Sequence, residues 1–312
     1  MAAKIRSWLS WIPSDTGWLV VLAAVTIVVH VLTNGQYGWH RDELATLDDA
    51  RYLDWGYVAY PPIVPFIARV GLELFGISLV GLRLFADLAL ALAIVMTGLM
   101  ARELGGPRRA QIAAALAVAI APVTILQGTV LMYVTFDYLW WVIAAYLMLR
   151  LLRSQDPRYW LGIGSAIGLG MMTKYTMLFF AVGIVGGVVF TPARRYLRGP
   201  WLWGGVALAL LVFSPNLVWQ ARHQFISIEF LASIHTRDVA IGRAAGFLAE
   251  QFFACANPFT IPLWVIGLAF CFRARDGERY RVIGYMFVIP FVLLLVSQGR
   301  SYYLAPAYPM LL

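Results

Sequence analysis

Acid is scarce in this chain, and what there is gathers in one place. From Gly38 to Pro62 the sequence reads GWHRDELATLDDARYLDWGYVAYPP, with Asp42 and Glu43 adjacent and Asp48, Asp49 and Asp54 close behind. Adjacent carboxylates can take a proton from an attacking hydroxyl and steady a positive centre as it develops. His40, Arg41 and Tyr60 flank the acids and are candidate substrate contacts. In MMTKYTMLFF, Lys174 interrupts an apolar-rich run. A lysine ammonium is a point charge suited to phosphate. Asp137 in VTFDYLWW, and Arg300, Tyr302 and Tyr303 in QGRSYYLAPAYP, complete the candidates. Carboxylates that accept a proton and cations that hold a departing phosphate are equipment for moving a group off a lipid phosphate. A proton-coupled transporter or lipid flippase would use the same residue types. That second class stays open on residue chemistry alone.

Ordinary structural roles compete at each position. Asp48, Asp49 and Asp54 can simply solvate a loop. Lys174 can snorkel to the membrane surface. Asp137 opens a helix, where the dipole favours a carboxylate anyway. Arg300 and its tyrosines can form an interfacial belt. Arg83 and Asp87, four apart, can pair with each other. Gly164 and Gly168 in GIGSAIGLG form a close-packing helix face, and Pro215 with Asn216 marks a kink. There is no GxxxxGK[ST] loop and no HExxH pair. Nothing in the sequence requires a cofactor, although a divalent cation beside the acids would be compatible with them.

The elements that must position these residues follow from composition. Of 312 residues, 61% are hydrophobic and only 13% charged, about half the charged share of a soluble domain. With a mean hydropathy of +0.75, this is an all-α polytopic membrane protein. A span needs ~20 mainly apolar residues. Spans are expected near 18–34, 79–102, 110–127, 136–152, 159–173, 176–191, 201–218, 246–272 and 282–298, with a tenth beginning near 304. Together these make residues 1–312 one transmembrane domain. Each half of 159–190 is ~15 residues, roughly 22 Å of helix against a core of ~30 Å. The turn at Lys174 must therefore lie below the outer surface, or the bilayer must thin there. Cys255 and Cys271 fall in one predicted helix, ~24 Å apart, and cannot pair.

Alternating the spans from a cytoplasmic N-terminus puts Lys4, Arg6, Arg102, Arg108, Arg109, Arg150, Arg153, Arg158, Arg194, Arg195, Arg198, Arg273, Arg275, Arg279 and Arg281 inside. Four consecutive inner loops are thus arginine-rich, as the positive-inside rule requires. The net charge of +8 is mostly an orientation signal and gives no reason to expect a nucleic-acid partner. The candidate site falls on the outer face. Residues 35–78 form the first outer loop, in which Leu44, Leu47, Ala50 and Leu53 predict a short amphipathic helix on the membrane surface. Pro61 and Pro62 stop it, and a second helix is expected over 63–75. The inner halves of the spans are almost uncharged, which favours an outer-face enzyme over a carrier that needs polar groups near the midplane.

The order HRDEL, WGYVAYPPIVPFIARV, GLRLFADLALALAIVMTGLMARELGG, TKYTMLFF, SPNLVWQARHQF and GRSYYLAPAYP resembles the bacterial branch of the dolichyl-phosphate-mannose–protein mannosyltransferases, glycosyltransferase family 39 of the GT-C superfamily. The resemblance spans nearly the whole chain. It implies a GT-C-type bundle in the cytoplasmic membrane and transfer of a sugar from a polyprenyl-phosphate carrier to an acceptor on the outer side. It implies Asp42 and Glu43 as the catalytic acids, Asp137 as the acid of the second outer loop, and Lys174 as the lysine near the lipid phosphate. The implied reaction is a single inverting displacement. Sugar, acceptor and oligomeric state are not specified. Members of the family continue with more helices and an outer domain, so a longer protein is expected.

Overall fold

The computed structural model describes residues 15–312. Lys4 and Arg6 of the expected inner basic set lie outside the described residues. Among those residues the chain is helical and contains no strand. Helix α1 (Asp15–Asn34) is the first span. The outer loop then folds into α2 (Arg41–Arg51) and α3 (Ile63–Phe75). Ser78 caps α4 (Leu79–Glu103) by accepting from the Gly81 amide at 3.1 Å. Its 25 residues span ~37 Å, enough to cross a bilayer.

Helices α5 (Arg108–Ala119) and α6 (Pro122–Gly128) meet at a 61° bend, where Pro122 cannot donate into the helix before it. Then follow α7 (Tyr133–Ser154), α8 (Tyr159–Met171), α9 (Met177–Val189) and α10 (Pro200–Arg222). After these come α11 (Ile226–Ala240), α12 (Ile261–Arg273) and α13 (Arg281–Val296). Five helices (α1, α4, α7, α10 and α13) are long and apolar enough to cross a membrane unbroken, and three bent pairs bring the number to as many as eight. This is an integral, multi-pass membrane protein.

Helix α7 is the centre. Trp141 is fully buried and stacks on Phe180 of α9 at 4.4 Å. Around it, α4 packs on α1, α5 and α7; α8 packs on α7 and α10; and α9 packs on α13.

Three expectations change. The predicted helix 246–272 is broken. A helical turn over Phe247–Cys255 meets Pro258–Arg273 at 91°. Asn257 takes the Phe259 amide onto its side chain, and Pro258 cannot donate, so the helix restarts in a new direction. Cys255 and Cys271 are thus on separate elements, each free and buried. Ala305–Leu311 is a buried 3-10 segment against α7, interrupted by Pro306 and Pro309. In α2 only Leu47 and Ala50 of the expected apolar face are buried, beside Glu43 and Thr46, while Leu44 and Leu53 stay exposed. That face rests on protein.

Residues 159–190 form two 13-residue helices, α8 and α9, of ~20 Å each, with Lys174 in the break between them. The glycine face of α8 works as expected. A Cβ on Gly164 would stand 2.0 Å from the Gly205 carbonyl oxygen of α10, and one on Gly205 would stand 2.3 Å from that of Trp160. The backbones touch, so no side chain fits. Gly164→Val should lower the thermal midpoint of the detergent-solubilised protein, at an overpacking cost of ~1–3 kcal/mol. Gly38→Ala, where a Cβ meets nothing within 4 Å, should leave the midpoint in place.

Candidate functional site

The outer loop is fixed by one buried ion pair. Arg83 of α4 reaches Glu43 of α2 with two parallel bonds, Nε to Oε1 at 2.8 Å and Nη2 to Oε2 at 2.7 Å. Both side chains are almost completely inaccessible. The remaining guanidinium donors go to the carbonyls of Asn34 at 2.6 Å and Gly38 at 2.8 Å. Glu43 also accepts from the amides of His40 (2.9 Å) and Leu131 (3.0 Å). The pair thus ties together the end of α1, the start of α2, helix α4 and the entry to α7. Burial pushes Glu43 upward, but the bonds from Arg83, His40 and Leu131 outweigh it and hold the carboxyl below its ordinary 4.5.

The expected Arg83–Asp87 pair does not form. Asp87 instead takes His30 Nδ1 at 3.0 Å and Asn34 Nδ2 at 2.9 Å. Glu43, expected as a second catalytic acid, has both oxygens saturated and cannot meet a substrate without breaking the clamp. Asp42 differs. Its side chain is 28% exposed, and its one donor among the described residues is Arg41 Nε at 3.1 Å.

Beyond the loop lies a cavity of about 340 Å³, walled by Tyr60, Tyr133, Lys174, His235, Arg300 and Tyr303 among others. Lys174 is the unusual member. It is 7% exposed, and its Nζ has no hydrogen-bond partner. Asp137 Oδ2 stands 4.0 Å away, already accepting from Thr176 at 2.7 Å, while Oδ1 takes Trp141 Nε1 at 3.1 Å. The ammonium sits among the rings of Tyr303 (4.0 Å), Tyr302 (5.2 Å) and Tyr133 (5.5 Å). An ammonium in this setting gains from the ring faces but keeps three unused donors. Arg300, 18% exposed, donates from Nε to Asp238 at 2.5 Å and from Nη1 to the Tyr302 hydroxyl at 3.1 Å.

The structure therefore brings Lys174, Asp137, Arg300, Tyr302, Tyr303 and Tyr60 together. Tyr60 enters through its ring, because its hydroxyl donates to Asp49 at 2.7 Å. Asp42, His40 and Arg41 do not line the cavity. His40 caps α2, its ring accepting the Asp42 amide, and Arg41 is 88% exposed.

Tyr133, His235 and Asp238 of the wall escaped the sequence reading. Tyr133 stands inside the MYVTFD segment with no charge to single it out. Asp238 is masked by Arg237 and Arg243, both of which also contact it. Among the described residues no three of His, Cys, Asp and Glu converge as a metal site.

The described residues form an all-helical, polytopic membrane protein. The family model described as dolichyl-phosphate-mannose-protein mannosyltransferase matches residues 59–219, just over half of the chain, and the chain belongs to that family.

The chain is 27% identical to the lipid A galacturonosyltransferase RgtD of Rhizobium johnstonii, over 92% of this chain and 61% of that protein. It is 23% identical to an undecaprenyl phosphate-alpha-4-amino-4-deoxy-L-arabinose arabinosyl transferase of Pseudomonas fluorescens, over 96% of this chain and 52% of that one. Among solved structures it is similar to ArnT from Cupriavidus metallidurans bound to undecaprenyl phosphate, with TM-score 0.68, 21% identity and coverage of 96% of this chain and 59% of that chain. The oligosaccharyltransferase AglB from Archaeoglobus fulgidus, in complex with an inhibitory peptide and a dolichol-phosphate, gives TM-score 0.64 at 14% identity, with 97% and 50% covered. The chain spans between half and three-fifths of the length of these proteins.

Replacing Glu43 by Gln should destabilise the solubilised protein by ~3–5 kcal/mol, because it leaves Arg83 buried and unpaired. Glu43→Gln with Arg83→Met should recover part of that loss in thermal unfolding. Because the folded Glu43 value lies below the unfolded one, its contribution is complete above about pH 4.5 and fades as pH falls through the folded value. Proteolysis within residues 35–62 should accelerate only in that acid range, and an onset near neutrality would contradict the clamp.

Proposed function

We propose that this chain is the membrane-embedded catalytic part of a glycosyltransferase. It moves a sugar from a polyprenyl-phosphate carrier to an acceptor on the extracytoplasmic face, with inversion. The observation that carries this reading is the buried, unpartnered Lys174 ammonium facing a cavity it shares with Arg300. Two cations at a hollow beside the outer loop suit a phosphate that gains charge as the sugar leaves. The names of the two curated relatives support a sugar transferase, and the second names an undecaprenyl-phosphate sugar as its donor. The arginine-rich inner loops support a cytoplasmic N-terminus, with the whole in the cytoplasmic membrane. Residues 1–312 act as one transmembrane domain, and 35–78 as its extracytoplasmic loop.

In the reaction we assign, Asp42 takes the proton of the acceptor hydroxyl while that oxygen attacks the anomeric carbon. The bond from that carbon to the phosphate oxygen breaks, and its electron pair leaves with the lipid phosphate. Lys174 and Arg300 neutralise the added charge, so no general acid is needed. Tyr60, Tyr133, Tyr302 and Tyr303 wall the phosphate side against water. Glu43 acts by fixing the backbone that presents Asp42. Asp137 holds Lys174 in place from 4.0 Å without quenching its donors.

The deciding assay incubates the purified full-length protein with labelled polyprenyl-phosphate sugars and follows label into an envelope acceptor. Asp42→Asn should lower transfer by ~10²–10⁴-fold, as loss of a general base does, while lipid binding persists. Full activity in that variant would end the assignment of Asp42. Lys174→Ala should weaken binding of the lipid phosphate by ~10–100-fold, as loss of a charged hydrogen bond of ~1.5–3 kcal/mol does. Unchanged affinity would return Lys174 to a structural role.

A further inference from the structure

Helix α11 (Ile226–Ala240) is attached unlike any other element. It makes no extensive contact with another helix. Ile228 is 65% exposed and faces the surroundings. Only two of its residues are buried, Ser227 and Asp238, one near each end. Each is a tether. Ser227 accepts from Gln220 Nε2 at 2.6 Å and donates to the Tyr57 carbonyl at 3.1 Å, which fixes the start of the helix to α10 and the outer loop. Asp238 fixes the end through Arg300 at 2.5 Å. Between them Leu231, Ile234 and His235 form one wall of the Lys174 cavity.

The far tether uses a group the proposed reaction needs. Arg300 shares the cavity with Lys174, and its Nε is held by a carboxylate. Nearby, Lys174 keeps its donors free. Arg237 Nη2 and Arg243 Nη1 also lie 3.0 and 3.9 Å from Asp238. The carboxylate therefore has partners of its own once Arg300 lets go.

We propose that Asp238 is a placeholder for the donor phosphate. It occupies Arg300 and latches α11 over the cavity, and the incoming phosphate displaces it and frees the end of the helix. This rests on the functional reading above and adds a positioning residue to it. The donor phosphate is a diester monoanion whose two free oxygens can take both Lys174 and Arg300, whereas the carboxylate it displaces retains Arg237 and Arg243. That difference in affinity is what an exchange requires.

The test uses the full-length protein in nanodiscs, with undecaprenyl phosphate and undecaprenol as probes. If the latched form leaves about a tenth of molecules competent, removing the latch tightens apparent binding about tenfold. Asp238→Asn should therefore bind undecaprenyl phosphate roughly tenfold more tightly than wild type, with undecaprenol unchanged. In wild type, hydrogen exchange across residues 226–240 should rise when undecaprenyl phosphate is added. In Asp238→Asn it should be high from the start. Equal or weaker phosphate binding by Asp238→Asn, or exchange in that segment that ignores the lipid, would show that Asp238 merely orients Arg300 and would overturn the placeholder. If wild type and variant both fail to prefer the phosphate over the alcohol, the functional reading itself falls, a result distinct from either of these.

Discussion

The Arg83–Glu43 pair is the constraint on which the rest of the outer face depends. Two charges removed from water are costly, and a buried pair of this kind is worth little as net stability compared with well-packed apolar side chains. Its worth here is position. Glu43 reaches the first turn of α2, a long spanning helix and the backbone entering α7, and through Arg83 the pair also holds the end of α1. Asp42 is its neighbour in the chain. Holding Glu43 fixes the backbone of Asp42 without spending any Asp42 oxygen.

The two acids of the pair thus divide the work through their environments. Glu43 has every lone pair engaged and sits against an arginine. Asp42 has a single donor and is partly open to water. The same division holds across the cavity. Asp137 and Asp238 both face a cation, but Asp137 stands 4.0 Å from Lys174 and leaves its donors free, whereas Asp238 binds Arg300 closely. A site built to receive an anion has to hold cations that are neither quenched by the protein nor so unscreened that the empty state cannot fold. The tyrosine faces around Lys174 moderate its cost, because a ring attracts a cation without competing for the hydrogen bonds a phosphate would make.

Depth comes from the short helices. Helices α8 and α9 are too brief to cross a bilayer at full thickness, and the break between them carries Lys174 inward. Backbone contact between Gly164 and Gly205 brings α8 and α10 together, and Tyr175 beside the break donates to Asn216 of α10 at 3.0 Å. Asn216 in turn donates to the Trp55 carbonyl at 2.8 Å. The outer loop and the lysine turn are thus joined through one helix, at the proline-asparagine pair that the sequence marks only as a kink.

By itself the sequence determined the membrane class, most of the helices and the two short helices within residues 35–78, and it singled out Asp42, Asp137, Lys174 and Arg300 as candidates. These are legible because hydropathy, proline and charge act locally or through long runs of residues. Which carboxylate meets which cation was not legible. Arg83 and Asp87 stand four apart and read as a pair, yet each is drawn to a partner some forty to sixty positions away. The 246–272 run read as one helix because its composition is uniform, and the bend follows from one asparagine side chain and one proline. Asp238 and Tyr133 gave no signal, since their roles exist only once α11, the end of α13 and the start of α7 converge. Periodicity reports the face of a helix. Partner choice in a buried polar network depends on distances between elements, and those are set only when the bundle closes.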